Sequence, residues 1–190
     1  MNGSIQNMTV YAANCRGNVQ NSSYPNRIEI HCAADLQRAA QYDHVCAEYR
    51  DETVKRTRPD GTQYAVNVRA HRSMTAFVKA DCLPVDLDND HSDNPADWKA
   101  LEDIQAAFPG VDFYAIPSRN HNKLKNGKSA RPRYHIYFPI DVVTDAAAYR
   151  RIKETVLAIF PYFDHNAKDA ARFLFGVDEP EVITINGGNE

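Results

Sequence analysis

The chain has 190 residues, 43% of them apolar and 25% charged, with 8 glycines and 10 prolines. This mix excludes collagen-like and low-complexity classes and suffices for one domain with a sizeable core, or for two compact lobes. The net charge of −3 excludes a uniformly basic nucleic-acid coat protein but is compatible with a local basic groove. No run approaches the roughly 20 apolar residues of a membrane span. Residues 1–10 carry no basic patch followed by an apolar stretch. The expectation is a cytoplasmic protein without a membrane partner, its four cysteines reduced. His31, Cys32, His44 and Cys46 match no common zinc spacing, so buried or idle thiols are expected there.

In chain order, 8–12 and 27–31 read as short strands. Residues 35–45, rich in Ala, Leu, Gln and Arg, read as a helix. Residues 50–61 are charged and turn-like, with Pro59-Asp60-Gly61 as the turn signal. Residues 64–68 are extended, and 83–88 form a short apolar run interrupted by acids. Asn94-Pro95 opens a helix whose apolar face is Trp98, Leu101, Ile104 and Ala107 or Phe108, and Pro109-Gly110 stops it. Residues 111–116 are a strand, 119–133 a polar loop or hairpin tip, and 134–140 the clearest strand. Thr144 caps a helix running to about Phe160, ended by Pro161. Residues 172–176 and 182–185 are late strands, and 187–190 a loose end. The order gives the α+β class with a mixed or antiparallel sheet. A doubly wound sheet is disfavoured, because strands and helices do not alternate regularly and no Gly-rich phosphate fingerprint is present.

Val85-Asp86-Leu87-Asp88 is the most informative tetrapeptide. Strand alternation puts Asp86 and Asp88 on one face and Val85 and Leu87 on the other. Two neighbouring carboxylates repel unless a cation sits between them. Mg2+ answers that need, taking oxygen ligands from one or two carboxylates plus substrate phosphate. Asp90 follows at the strand's exit, and Asp93 and Asp97 read as solvated or helix N-terminal charges. The plain alternative is an acidic surface loop such as a calcium turn. An EF-hand is excluded, since its glycine and its downstream glutamate are replaced by His91 and Asp97.

Residues 118–133 hold Arg119, Lys123, Lys125, Lys128, Arg131 and Arg133 and no acid. Such a concentration suits the phosphates of a nucleotide or a template strand, and its alternative is a solvated, mobile loop. In the next strand Arg133, His135 and Tyr137 share one face, opposite Tyr134, Ile136 and Phe138. Arg and His on one face make a phosphate platform. Phe163-Asp164 offers a third carboxylate, and Arg172 starts a late strand aimed at the same place. Asp169 pairs with Arg172 or caps the turn before it.

In this order the segments resemble the archaeo-eukaryotic primase superfamily, in particular the primase-polymerase domains of plasmids, phages and other mobile elements. The acidic motif of that family looks like Asp86-Leu87-Asp88, its small-x-His motif like Arg133-Tyr134-His135, and its hydrophobic-Asp motif like Phe163-Asp164. The D-x-x-R-F pattern, Asp169 to Phe173, fits the mobile-element branch. The second motif departs from the pattern: Arg133 stands where the family has Ser, with Ser118 and Ser129 nearby but outside the motif. The resemblance spans roughly 83–176, and the first eighty residues match only loosely.

The resemblance implies an α+β fold with a modified RNA-recognition-type sheet: an N-terminal α/β module over 1–80, a catalytic core over 81–178, and a tail or linker over 179–190. It implies a template-directed nucleotidyltransferase, a DNA primase or primase-polymerase of mobile-element replication. Asp86, Asp88 and Asp164 would hold two divalent ions, Mg2+ or Mn2+, and His135 would join them as a catalytic residue touching nucleotide phosphates. Arg172, Ser118, Arg119, Lys123, Lys125, Lys128, Arg131 and Arg133 would meet nucleotide or template phosphate. The partners would be nucleoside triphosphates, a single-stranded DNA template, and a helicase or C-terminal helical domain of a longer protein. Two other readings stand beside it. One is a metal-dependent nuclease or replication initiator, weakened because position 137 is Tyr where an initiator has its second histidine. The other is a non-catalytic single-stranded nucleic-acid-binding module, which leaves two acids on one strand face without a purpose.

Overall fold

The structure, a computed structural model, describes residues 5–187. It opens with strands β1 (Met8–Ala12) and β2 (Asn26–Ile30), helix α1 (Ala33–Ala39) and the two-residue strand β3 (His44–Val45). β1 lies between β2 and β3, antiparallel to both. The helix expected over 35–45 is shorter, because the Asp43 carboxylate accepts the backbone N–H groups of Gly17, Asn18 and Gly176. His44 exchanges both of its backbone hydrogen bonds with Leu174. Those tertiary bonds hold 43–45 extended, and the weak helix propensity of Asp, His and Val offers little resistance to that.

β4 (Glu48–Tyr49) follows, then β5 (Glu52–Thr57) and β6 (Gln63–Val68), which pair only with each other. Half of the segment expected to be turn-like, Glu52–Thr57 of residues 50–61, is therefore strand. The turn is confined to its end, where Arg58 and Thr62 bond across Pro59-Asp60-Gly61 and Gly61 supplies the positive φ of +84°.

β7 (Phe77–Leu87), β8 (Phe113–Pro117), β9 (Tyr134–Val143) and β10 (Ile183–Ile185) complete the main sheet, in the order β10-β8-β9-β7-β4, antiparallel throughout. Helices α2 (Leu101–Ala107) and α3 (Ala146–Ile159) cover one face. There Val85, Leu87, Phe113, Ile136 and Phe138 pack with Ile104, Tyr149 and Leu157. The other face is covered as well: Cys82, Tyr114, Ile116 and Tyr137 pack with Met8, Val10, Leu36 and Ala39 of the N-terminal strands and helix. Each such side chain contributes about 1.5–3 kcal/mol on burial. The sheet is thus a filling between two layers, and the α+β class is observed.

Three boundaries differ from expectation. The helix expected from Asn94 breaks into one 3-10 turn, Pro95–Asp97, and α2. Trp98 between them is extended because its indole N–H donates to the Ser92 carbonyl, while the Asn89 side chain holds both the N–H and the carbonyl of Lys99. The cap of α3 is Asp145 rather than Thr144, its Oδ1 accepting the Ala148 N–H at 2.6 Å. Residues 172–176 are not a strand; Leu174 makes one isolated bridge to His44. β10 builds part of the segment expected as a tail into the sheet edge, and Gly187 donates to Asp112 Oδ1 at 2.7 Å. The rest of the expected loose end, 188–190, lies outside the described residues. Among those residues no helix is long and apolar enough to cross a membrane.

Candidate active site

In the β7–β9 ladder Asp86 stands directly opposite His135. Opposed residues of an antiparallel pair present their side chains on the same face, and His135 Nε2 lies 3.5 Å from Asp86 Oδ1. β7 ends at Leu87, so Asp88 is the first residue past the strand. Asp164 arrives through the backbone, its N–H donating to the Asp86 carbonyl at 2.8 Å. Its carboxylate then caps a 3-10 turn, His165–Lys168, by accepting the Asn166 N–H. Arg172 enters from a tight turn in which its N–H donates to the Asp169 carbonyl. The buried Lys153 of α3 donates to that same carbonyl at 3.0 Å. Arg172 Nη2 lies 2.9 Å from Asp86 Oδ2 and 3.6 Å from Asp164 Oδ2, bridging two carboxylates 78 positions apart in the chain.

These groups line one cleft together with Asp88, Ser118, Arg119, Asn120, Lys125 and Phe175. A second pocket of about 350 Å³ adjoins it, sharing Asp88, Lys125 and Asp164 and reaching His91, Tyr162, His165 and Asn166. The cleft therefore brings together Asp86, Asp88, His135, Asp164, Arg172, Ser118 and Arg119, all marked in the sequence. Phe175 was not marked. The Arg119 guanidinium stacks 3.5 Å above its ring, which fixes the arginine by cation–π attraction. An aromatic next to a basic residue only in space leaves no sequence signal.

Lys123, Lys128, Arg131 and Arg133 do not line the cleft. Arg131 and Arg133 are only 1% and 0% exposed. Arg131 donates to the carbonyls of Asn89 and Ser92 and to Asp93, and Arg133 to Asp90 and to the Lys123 carbonyl. Lys128 donates to the Asp90 carbonyl, and Lys123 to the Arg119 carbonyl. The basic segment is folded over the acidic one that follows β7. The physical reason is desolvation: a guanidinium taken out of water must meet a carboxylate or several carbonyls. Asp93 is solvated as expected, its side chain 85% exposed, and it also accepts from Arg131, which holds its carboxyl below the ordinary range.

Burial pushes the His135 pKa down, against the opposing pull of Asp86 and Asp88. Burial also pulls on Arg172, but Asp86, Asp164 and Asp88 outweigh it and leave its pKa above the ordinary value. Three buried atoms of the cleft, Asp86 Oδ1, His135 Nδ1 and Arg172 Nε, have no hydrogen-bond partner. Orphaned polar atoms are rare in interiors. Here they occur where three acids and an arginine converge.

An unpartnered carboxylate oxygen is donor chemistry suited to a hard divalent ion, so the residues fit one. Among the described residues no three His, Cys, Asp or Glu side chains already converge as metal ligands. Instead Arg172 neutralises Asp86, and Lys125 Nζ sits 2.6 Å from Asp88 Oδ2. The zinc combination considered above is also not assembled: His31 and Cys32 are exposed, whereas His44 and Cys46 are buried.

Tyr137, two residues beyond His135, is fully buried with its hydroxyl 2.8 Å from His44 Nε2. His44 donates from Nδ1 to the Tyr42 carbonyl and accepts the tyrosine proton at Nε2. Burial pushes its pKa from 6.5 down to about 4. In the unfolded chain the same imidazole titrates at the higher value. Between those limits the unfolded state binds the extra proton, so this contribution is complete above pH 6.5 and is lost as pH falls toward 4. The loss reaches up to about 3 kcal/mol. Urea unfolding at pH 7 and pH 4.5 checks this: wild type is expected to lose about 2 kcal/mol more than His44→Gln, and equal losses would remove His44 as the cause.

Comparison with protein-family models, with curated proteins and with solved structures found no match.

Proposed function

We propose that the chain is a template-directed nucleotidyltransferase of the primase-polymerase type, on a sheet of the RNA-recognition kind with an N-terminal module packed behind it. The observation that carries this reading is the convergence of Asp86, His135, Asp164 and Arg172 in one cleft. They come from three distant segments, in the order that resembles the family's motifs.

Asp86, Asp88 and Asp164 would hold Mg2+ or Mn2+, with the unpartnered Asp86 Oδ1 as the first donor. Such ions lower the pKa of an attacking 3′-hydroxyl and neutralise the triphosphate. The chain's own part is positioning and electrostatics, which dominate phosphoryl chemistry. Arg172 and Lys125 neutralise the acids before substrate arrives and turn to the triphosphate when it does. His135, which lines the cleft opposite Asp86 in the ladder, hydrogen-bonds a phosphate oxygen. Ser118 and the Phe175-braced Arg119, at the end of β8 beside β9, meet phosphate in the same cleft. Arg131 and Arg133 hold the cleft's floor in shape by fixing 88–93.

The test is incorporation of labelled nucleotides on a single-stranded DNA template with Mg2+ or Mn2+, with and without a primer. Template-dependent products are expected. Metal-dependent degradation of the template without synthesis would replace this reading by a nuclease. Salt-sensitive binding without any chemistry would replace it by a binding module.

A further inference from the structure

The β5–β6 hairpin has no part in the site described above. Every residue from Lys55 to Ala65 is exposed, and the two strands pair with nothing but each other. A two-stranded ribbon alone in water is marginal, so this one is secured at its root. Asp51 Oδ1 accepts the Ala70 N–H, and Glu52 accepts from His71, Ser73 and Thr75. All three acids of the region are spent on such local bonds, since Asp60 caps the turn at the Thr62 N–H. Lys55, Arg56, Arg58 and Arg69 remain. Among the described residues none of these four enters an ion pair, whereas Arg50 lies within reach of Glu52. Hydrogen-bonded carboxylates keep their charge, so four cations against Asp51, Glu52 and Asp60 leave residues 51–69 a small positive excess in a chain of net charge −3. The acids sit at the root and in the turn, and Lys55, Arg56 and Arg58 are the charges between.

The arm also carries an aromatic. Arg56 and Tyr64 are opposed in the ladder, so their side chains share a face. The Arg58 guanidinium stacks 5.0 Å from the Tyr64 ring centroid. Two cations flanking an exposed ring is the pairing that single-stranded nucleic acid asks for: phosphate contacts on either side of a stacking platform. A duplex, its bases already stacked, has no use for the ring. The arm's root is also continuous with the cleft. Arg72 donates to the Ala171 carbonyl at 2.8 Å and stacks on Phe173, the two neighbours of Arg172.

We infer that the β5–β6 hairpin is an arm that grips single-stranded nucleic acid by its phosphates, with Tyr64 stacking on a base. The inference rests on the proposed function for its choice of partner, the template strand. The test uses the full chain, a fluorescent oligo-dT and anisotropy over a range of salt. The triple substitution Lys55→Ala, Arg56→Ala, Arg58→Ala is expected to weaken binding at least about tenfold. It should also reduce the slope of log affinity against log salt by about 2, since each lost phosphate contact on a single strand removes about 0.7. Unchanged affinity and slope would overturn the arm. Circular dichroism checks the fold of the variant. Should it misfold, photo-crosslinking of wild type to a bromodeoxyuridine oligonucleotide decides instead: adducts on the peptide holding Tyr64 are expected, and adducts only elsewhere overturn the proposal. The two readings fail separately. Wild type that incorporates nucleotides while the triple variant binds normally removes the arm alone. Wild type that binds through the arm yet incorporates nothing removes the polymerase alone. An oligonucleotide that does not bind wild type removes both.

Discussion

Asp86→Asn is expected to reduce template-directed incorporation at least about 10²–10³-fold, the scale of losing one preorganised electrostatic group. The substitution keeps the shape and removes one charge. Asp86 is the centre of the cleft: one oxygen holds Arg172 at 2.9 Å, and the other, buried and unpartnered, lies 3.5 Å from His135. A binding-only protein has no need of that charge and would bind a polyanion as well or better without it. The fold should tolerate the change. Arg172 is a third exposed and keeps Asp164 at 3.6 Å, so the stability cost is about 1 kcal/mol, a few degrees in Tm for a chain of this length. Incorporation rate and thermal unfolding measured side by side check both halves. Wild-type incorporation by Asp86→Asn would remove the carboxylate from the chemistry and the nucleotidyltransferase reading with it.

The convergence at Asp86 was legible as a list of residues but not as a geometry. The alternation of apolar and polar positions located β7 and β9, because period 2 is a local property. It did not say that Asp86 pairs with His135, since register between distant strands is set by turns and by burial. Alternation also misled at Tyr137. Its face reads as the polar one with Arg133 and His135, yet the N-terminal strands and α1 cover it, and only the His135 end opens to the cleft. A sheet buried on both faces loses the contrast that alternation depends on. The basic segment reads as a set of phosphate ligands, yet four of its six cations, Lys125, Lys128, Arg131 and Arg133, pair with Asp88, Asp90 or Asp93. A signal for that existed: the acid-rich 86–93 and the basic 119–133 are complementary, and neither can be buried without the other. Lys153 left no signal at all. It lies on the buried side of α3, with its pKa pushed by burial down to about 8, and looks like any surface lysine of an amphipathic helix.

Asp43 was likewise invisible, inside a segment read as helix, and its replacement is expected to have the largest effect on stability. Its side chain is fully buried and accepts backbone N–H groups from Gly17 and Gly176 at Oδ1 and from Asn18 at Oδ2, each at 2.9 Å. Charge-assisted bonds of this kind contribute about 1.5–3 kcal/mol each, and Asp43→Ala leaves three donors without their acceptor, the Gly176 N–H in a buried setting and those of Gly17 and Asn18 nearer the surface. The expected loss is about 3–5 kcal/mol, on the order of 10 °C in Tm. Asp43→Asn should fall between, because one acceptor becomes an amide N–H facing the Asn18 N–H. The effect reaches the cleft. Gly176 sits so close to residue 42 that a Cβ there would lie 2.6 Å from the Tyr42 carbonyl carbon. Asp43 and the His44–Leu174 bridge are what press 174–176 against the N-terminal layer. Releasing that segment frees Phe175 and with it the ring that braces Arg119. Thermal unfolding of wild type, Asp43→Asn and Asp43→Ala should give that descending order. Incorporation measured well below the variants' Tm should show a raised KM for nucleotide with kcat less affected, because the braced arginine binds substrate and does not react. Asp43→Ala within 1 kcal/mol of wild type would show that the carboxylate is not what joins the two layers.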